Sequence, residues 1–146
     1  MAGEPINKFG ASGWQTVASS VSVAAGAYQQ MSSTNTIASL MAVSEEDYPL
    51  VDVQITVAGT APTQGNTLGV YQRVKADGTN EAPAPSSGWK FTLVGWITLD
   101  SATGTYYGVK LPVADKNATF YIYSNEASNA LTLSMTIRMR TLAPAP

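Results

Sequence analysis

Residues 48–75 read YPLVDVQITVAGTAPTQGNTLGVYQRVK, two runs that alternate apolar and polar side chains, joined by a segment built from Gly, Thr, Pro and Asn. Val51, Val53, Ile55 and Val57 fall on one side of an extended chain, with Asp52, Gln54 and Thr56 on the other. That is the two-residue period of a half-buried strand. Leu68, Val70, Gln72 and Val74 repeat it less regularly. The stretch predicts a β-hairpin of a sandwich or barrel.

Working outward, the same period recurs. Val17, Val21 and Val23 predict a first strand over residues 14–23, weakened by the serines in its middle. Residues 35–43 fit a strand or a short helix, because Ile37, Leu40 and Met41 also suit helical spacing; the strands around them favour a strand. Asp77-Gly78 opens the longest loop, residues 77–88, where Pro83 and Pro85 are unable to join a central ladder. In residues 91–99, Phe91, Leu93 and Ile97 take one face and Val94 and Trp96 the other, so both faces are apolar. Strands are expected over residues 105–111, stopped by Pro112, and over residues 118–124. In the last run Leu131, Leu133, Met135, Ile137 and Met139 face inward while Thr132, Ser134, Thr136, Arg138 and Arg140 face out, which fixes register. The fold expected is all-β: an antiparallel β-sandwich of jelly-roll type with about eight strands. One domain spans residues 14–142, between an extended N-terminal arm (residues 1–13) and a proline-containing C-terminal tail (residues 143–146).

At 146 residues the chain can bury a core of its own. Charged residues make up 12% of it, against roughly a quarter in an average globular protein. The surface is therefore neutral and polar, which fits either a protein that hides surface in an assembly or an extracellular all-β domain. Eight Lys and Arg against ten Asp and Glu give no basic stripe for nucleic acid. No apolar run approaches the roughly 20 residues that span a membrane, and no leader pattern opens the chain, so a soluble, unexported product is expected.

Without His or Cys, there is no imidazole base, thiolate nucleophile or disulfide. A Ser-His-Asp triad is excluded, and the carboxylates lie mostly where turn formers and solvated charges belong. Glu45-Glu46-Asp47, with Asp52 close behind, lacks the ligand spacing of a calcium loop and reads as a solvated connection. No catalytic, cofactor or metal residues are predicted. The aromatic residues offer a different kind of candidate. Tyr121 and Tyr123 share one face of a strand whose other face holds Phe120 and Ile122, so one of the two faces is expected to meet another chain. Trp89, Tyr121 and Tyr123 are also the side chains on which a sugar would stack.

Asp52-Val53 in an alternating strand, a Gly/Thr/Pro turn, Val70-Tyr71, residues 77–80 (DGTN), residues 93–95 (LVG), Leu111-Pro112 and the final aliphatic alternation together resemble small virion structural proteins of tailed bacteriophages. The resemblance covers about residues 48–142 and rests on strand order and turn residues. It implies a head decoration (cement) protein, a head fibre or a tail component. Its partner would be the major capsid protein of a phage head, its location the capsid surface of a virion assembled in the bacterial cytoplasm, and its state a homotrimer. The expected capsid or subunit contacts are Ile6, Phe9, Trp14, Trp96, Tyr121, Tyr123 and Arg138.

Overall fold

The computed structural model describes residues 3–75, 77–87 and 92–145, so Trp89 and Phe91 lie outside the described residues. Nine strands form two antiparallel sheets: β1 (Gly3–Phe9), β2 (Gln15–Val23), β3 (Tyr28–Gln30), β4 (Leu50–Ala58), β5 (Thr67–Arg73), β6 (Leu93–Thr98), β7 (Gly104–Pro112), β8 (Thr119–Ser124) and β9 (Leu131–Ala145). In sheet A the order is β1-β9-β4-β7, with β2 on the same edge of β9 as β1; in sheet B it is β3-β8-β5-β6.

The pairings nest. β2 pairs with β9, β3 with β8, β4 with β7 and β5 with β6, as in one long double ribbon folded at its middle. Rolling that ribbon up creates the remaining contacts, β4 on β9 and β5 on β8. This is jelly-roll connectivity, which the alternating strands predicted.

The alternations decide which faces meet. Val51, Val53, Ile55 and Val57 of β4 and Leu131, Leu133, Met135, Ile137 and Met139 of β9 are buried against Leu68, Val70, Ile97, Phe120 and Ile122 of sheet B. Each such side chain contributes roughly 1.5–3 kcal/mol on burial, so a one-residue slip of β9 would forfeit on the order of 10 kcal/mol.

Several expectations are corrected. β4 and β5 do not form a hairpin: they belong to different sheets, and residues 59–66 carry the chain across the sandwich. Buried Glu126 holds that crossing, accepting hydrogen bonds from the Thr63 backbone N–H at 2.7 Å and the Thr63 hydroxyl at 2.8 Å. Residues 35–43 form no strand. Thr36 caps a short helix, α1 (Ile37–Leu40), by accepting from the Ser39 N–H, while the Ser39 hydroxyl accepts from the Thr36 N–H. Ile37 and Met41, one helical turn apart, are buried. In β6 the pairing shifts at Val94, so Val94 and Ile97 face the core while Leu93 and Trp96 face out.

The N-terminal arm and C-terminal tail are not free. β1 runs antiparallel to the last part of β9, with Asn7 opposite Leu142 and Phe9 opposite Arg140. The register shifts between Gly3 and Ile6, so Pro5 falls in the irregular part of the ladder, where a residue without an N–H is tolerated.

Candidate functional site

The side chains most unlike a structural core lie on the outer face of sheet A. Asp52 points outward from β4, directly opposite Arg138 of β9 and one step from Arg140, which pairs with Leu50. Arg138 and Arg140, two residues apart on one strand, share that face. Asp52 is nonetheless completely buried, because both guanidinium groups close over it. Arg140 donates from Nε at 3.0 Å to Oδ1 and from Nη2 at 2.8 Å to Oδ2; Arg138 donates to Oδ2 from Nη2 at 3.0 Å and from Nε at 3.3 Å.

A further hydrogen bond comes from β7. Val51 pairs with Leu111 and Val53 with Gly108, so Asp52 faces two residues, Val109 and Lys110. Lys110 takes a left-handed conformation, φ 56°, and its N–H reaches Asp52 Oδ1 at 2.9 Å. Gly108 and Leu111 are buried on either side of the bulge, which leaves Val109 and Lys110 both exposed on the outer face. Burial pushes the Asp52 carboxyl up, but the hydrogen bonds from Arg140, the Lys110 N–H and Arg138 outweigh it, and its pKa lies below the ordinary 3.8.

Aromatic rings flank the cations. The Arg138 guanidinium carbon lies 3.7 Å from the Phe9 ring centre and 4.6 Å from that of Trp14, and Arg140 lies 4.7 Å from Phe9. Trp14 meets Tyr107 of β7 at 6.2 Å between ring centres. Phe9 reaches this position because the chain after β1 is clamped. Gly10 donates to the Met139 carbonyl at 2.9 Å, and buried Glu45 accepts from the Ser12 N–H at 2.8 Å and from the Ser12 hydroxyl. Glu45 lies so close to Gly10 that a Cβ there has no room. Glu45, in a 3₁₀ turn (Val43–Glu45), is thus a buried clamp rather than a solvated charge.

The outer face of sheet B carries a second aromatic group. Tyr28 meets Tyr123 at 4.6 Å and Tyr71 edge-on at 5.3 Å. Burial and the Tyr28 hydroxyl push the Tyr71 pKa up. Trp96, 49% exposed, lies across Gly69, where a Cβ would fall 2.8 Å from the indole.

Of the residues singled out from the sequence, Phe9, Trp14 and Arg138 therefore converge, while Ile6 projects from the side of β1 opposite Phe9. Trp96 and Tyr123 belong to the other sheet's outer face. Tyr121, 8% exposed, is covered within this chain, so the two apolar faces of β8 need no second chain to explain them. Arg140 was read as an outward polar position, and Asp52 as one that also lies close behind the acidic run 45–47. Their signal was an acid in the middle of one apolar alternation and two arginines at adjacent outward positions of another.

Among the described residues no three acidic side chains come together as a metal site. A shallow depression lined by Glu46, Asp47, Tyr48, Pro49 and residues 113–116 holds an ion pair of its own, Lys116 to Glu46 at 3.1 Å. Comparison with family models, with characterised proteins and with solved structures returns no match to this chain.

Proposed function

We propose that this chain is a non-enzymatic decoration protein of a tailed-phage head, a jelly-roll domain that sits on the major capsid protein at the outer surface of the shell. The observation that carries this reading is that the outer face of sheet A carries four half-open large apolar side chains, Phe9, Tyr107, Val109 and Leu142, between 44% and 57% exposed. Exposed large apolar side chains gathered on one sheet face fit burial against another protein. The low charge and the phage-like strand order of the sequence point the same way. Decoration works by repetition, modest contacts multiplied over many copies. Quantitative densitometry of purified virions is expected to give tens to hundreds of copies per particle. A handful of copies would move the protein to the tail.

Trp96 supports a second reading, a glycan-binding module of a tail fibre or baseplate. Its half-exposed indole covers Gly69, the β5 residue that pairs with Trp96 on one side and Tyr123 on the other. Glycan-array binding that disappears in Trp96→Ala would favour that reading over decoration.

A further inference from the structure

Charge is unevenly spread over this chain. The whole carries a net −2, yet the outward positions of β2, β4, β7 and β9 hold three cations, Lys110, Arg138 and Arg140, against one carboxylate, Asp52. The rest of those positions are neutral, among them Gln54, Thr56, Thr105, Thr132, Ser134 and Thr136. Elsewhere Arg73 is paired with Glu81 at 2.7 Å and Lys116 with Glu46. Asp52 is buried and spent on its two arginines, so the face presents a surplus of two positive charges.

We infer that this face, centred on Arg138 between the Phe9 and Trp14 rings, is a docking surface for an acidic protein face, one that presents a carboxylate among apolar side chains. Arg138 uses Nε and Nη2 on Asp52; among the described residues its Nη1 has no acceptor. A partner carboxylate would bind there. The guanidinium is already held by Asp52 and two rings, so little side-chain freedom is lost on binding. Phe9, Tyr107 and Val109 around it are apolar and open, and Arg, Trp and Tyr are the residue types that dominate interface energetics. A phosphate polymer fits less well. Tracking a nucleic acid takes a run of cations, whereas two of the three here already bind Asp52.

As the capsid-facing surface, the inference rests on the decoration reading, so the experiment separates the two. Wild type, Arg138→Gln and Lys110→Asn are compared for binding to undecorated heads, to immobilised poly-L-glutamate, to duplex DNA and to anionic phosphatidylglycerol vesicles, at low and moderate salt. Lys110→Asn touches only an exposed side chain, and Asn tolerates its left-handed backbone. Arg138→Gln leaves Asp52 paired with Arg140. The expected result is salt-sensitive binding of wild type to heads, weakened at least tenfold in both variants, while each variant still melts within about 4 °C of wild type. Heads bound equally by all three would overturn the docking surface and leave decoration standing. If wild type does not bind heads, decoration fails, and poly-L-glutamate decides the docking surface. Retention of wild type but not of the variants upholds it, and no retention sinks it. Tighter binding to DNA or vesicles than to poly-L-glutamate also overturns it, in favour of a phosphate-binding face.

Discussion

Asp52 illustrates how one residue can be necessary without being stabilising in isolation. A carboxylate withdrawn from water costs several kcal/mol unless its partners are well placed, and here two guanidiniums and a backbone N–H supply them. The partners are not equivalent. Arg140 is nearly buried, whereas the Arg138 side chain is 24% exposed and keeps part of its contact with water. Asp52→Ala, which strands Arg140, is therefore expected to cost about 3 kcal/mol, and Arg140→Ala a similar amount, as for other broken buried pairs. Arg138→Ala is expected to cost no more than about 1 kcal/mol. Urea unfolding at neutral pH measures all three, and equal costs for the two arginines would contradict the difference in their burial. The sequence displayed these residues as members of polar faces. It did not display their meeting, because a two-residue period says which side of a strand a residue takes and nothing of what lies opposite.

At the scale of elements, β1 is the part whose role changes most. The sequence predicts residues 1–13 as an extended arm outside the domain. In the structure Phe9 covers both arginines, Gly10 bonds β9, and Ser12 satisfies buried Glu45. Leaving a buried carboxylate short of donors costs roughly 1–3 kcal/mol, and each kcal/mol moves the melting temperature of a domain this size by about 2–4 °C. Deleting residues 2–12 is thus expected to lower the melting temperature by about 5 °C or more. Deleting residues 2–8 keeps the Ser12–Glu45 clamp and should cost less. Calorimetry on the two truncations tests this, and equal shifts would place the cost in the β1 ladder instead. β4 and β9 were legible because their alternations are long and unbroken. β1 was not, since Pro5 argues against a strand unless an irregular ladder absorbs it, and its partner lies at the far end of the chain. The β4–β5 hairpin was misread for a related reason: adjacency in sequence favours pairing, but in a rolled double ribbon most consecutive strands cross between sheets, β5 and β6 at its fold being paired. α1 was the weaker of two open readings until the Thr36 and Ser39 side chains are seen to close its first turn.

For the whole molecule, assembly and titration are the properties that integrate these details. The trimer that the phage resemblance implies is checked by light scattering at micromolar concentration: a monomer mass refutes assembly in free solution, and a dimer mass refutes only the three-fold symmetry. Stability against pH follows from which groups the fold perturbs. Glu45 and Glu126 sit below their ordinary 4.5, burial pushing them up but hydrogen bonds from Ser12 and Ala42, and from Thr63, outweighing it. Asp52 sits below 3.8 in the same way, and the exposed turn residue Asp77 is drawn down to about 2 by the N–H groups of Asn80 and Thr79. For each, the unfolded chain takes up its proton first as pH falls. The stability they confer is therefore complete above about pH 5 and lost as pH drops through the folded values, at up to about 1.4 kcal/mol per pH unit for each buried carboxylate. Tyr71, raised by burial, and Lys116, raised by its bond to Glu46, act in the opposite sense. Their contribution is present below the ordinary values of 10.0 and 10.5 and disappears as pH climbs past them. With no His and no Cys, no side chain has an ordinary pKa between these limits. The urea midpoint is accordingly expected to stay flat from about pH 5 to about pH 9, falling on either side. Glu126→Gln should lower the plateau and make the acid limb shallower. A step in the wild-type midpoint between pH 6 and 8 would mean that one of the buried carboxylates is protonated near neutrality, and that the hydrogen bonds assigned to it do not hold in solution.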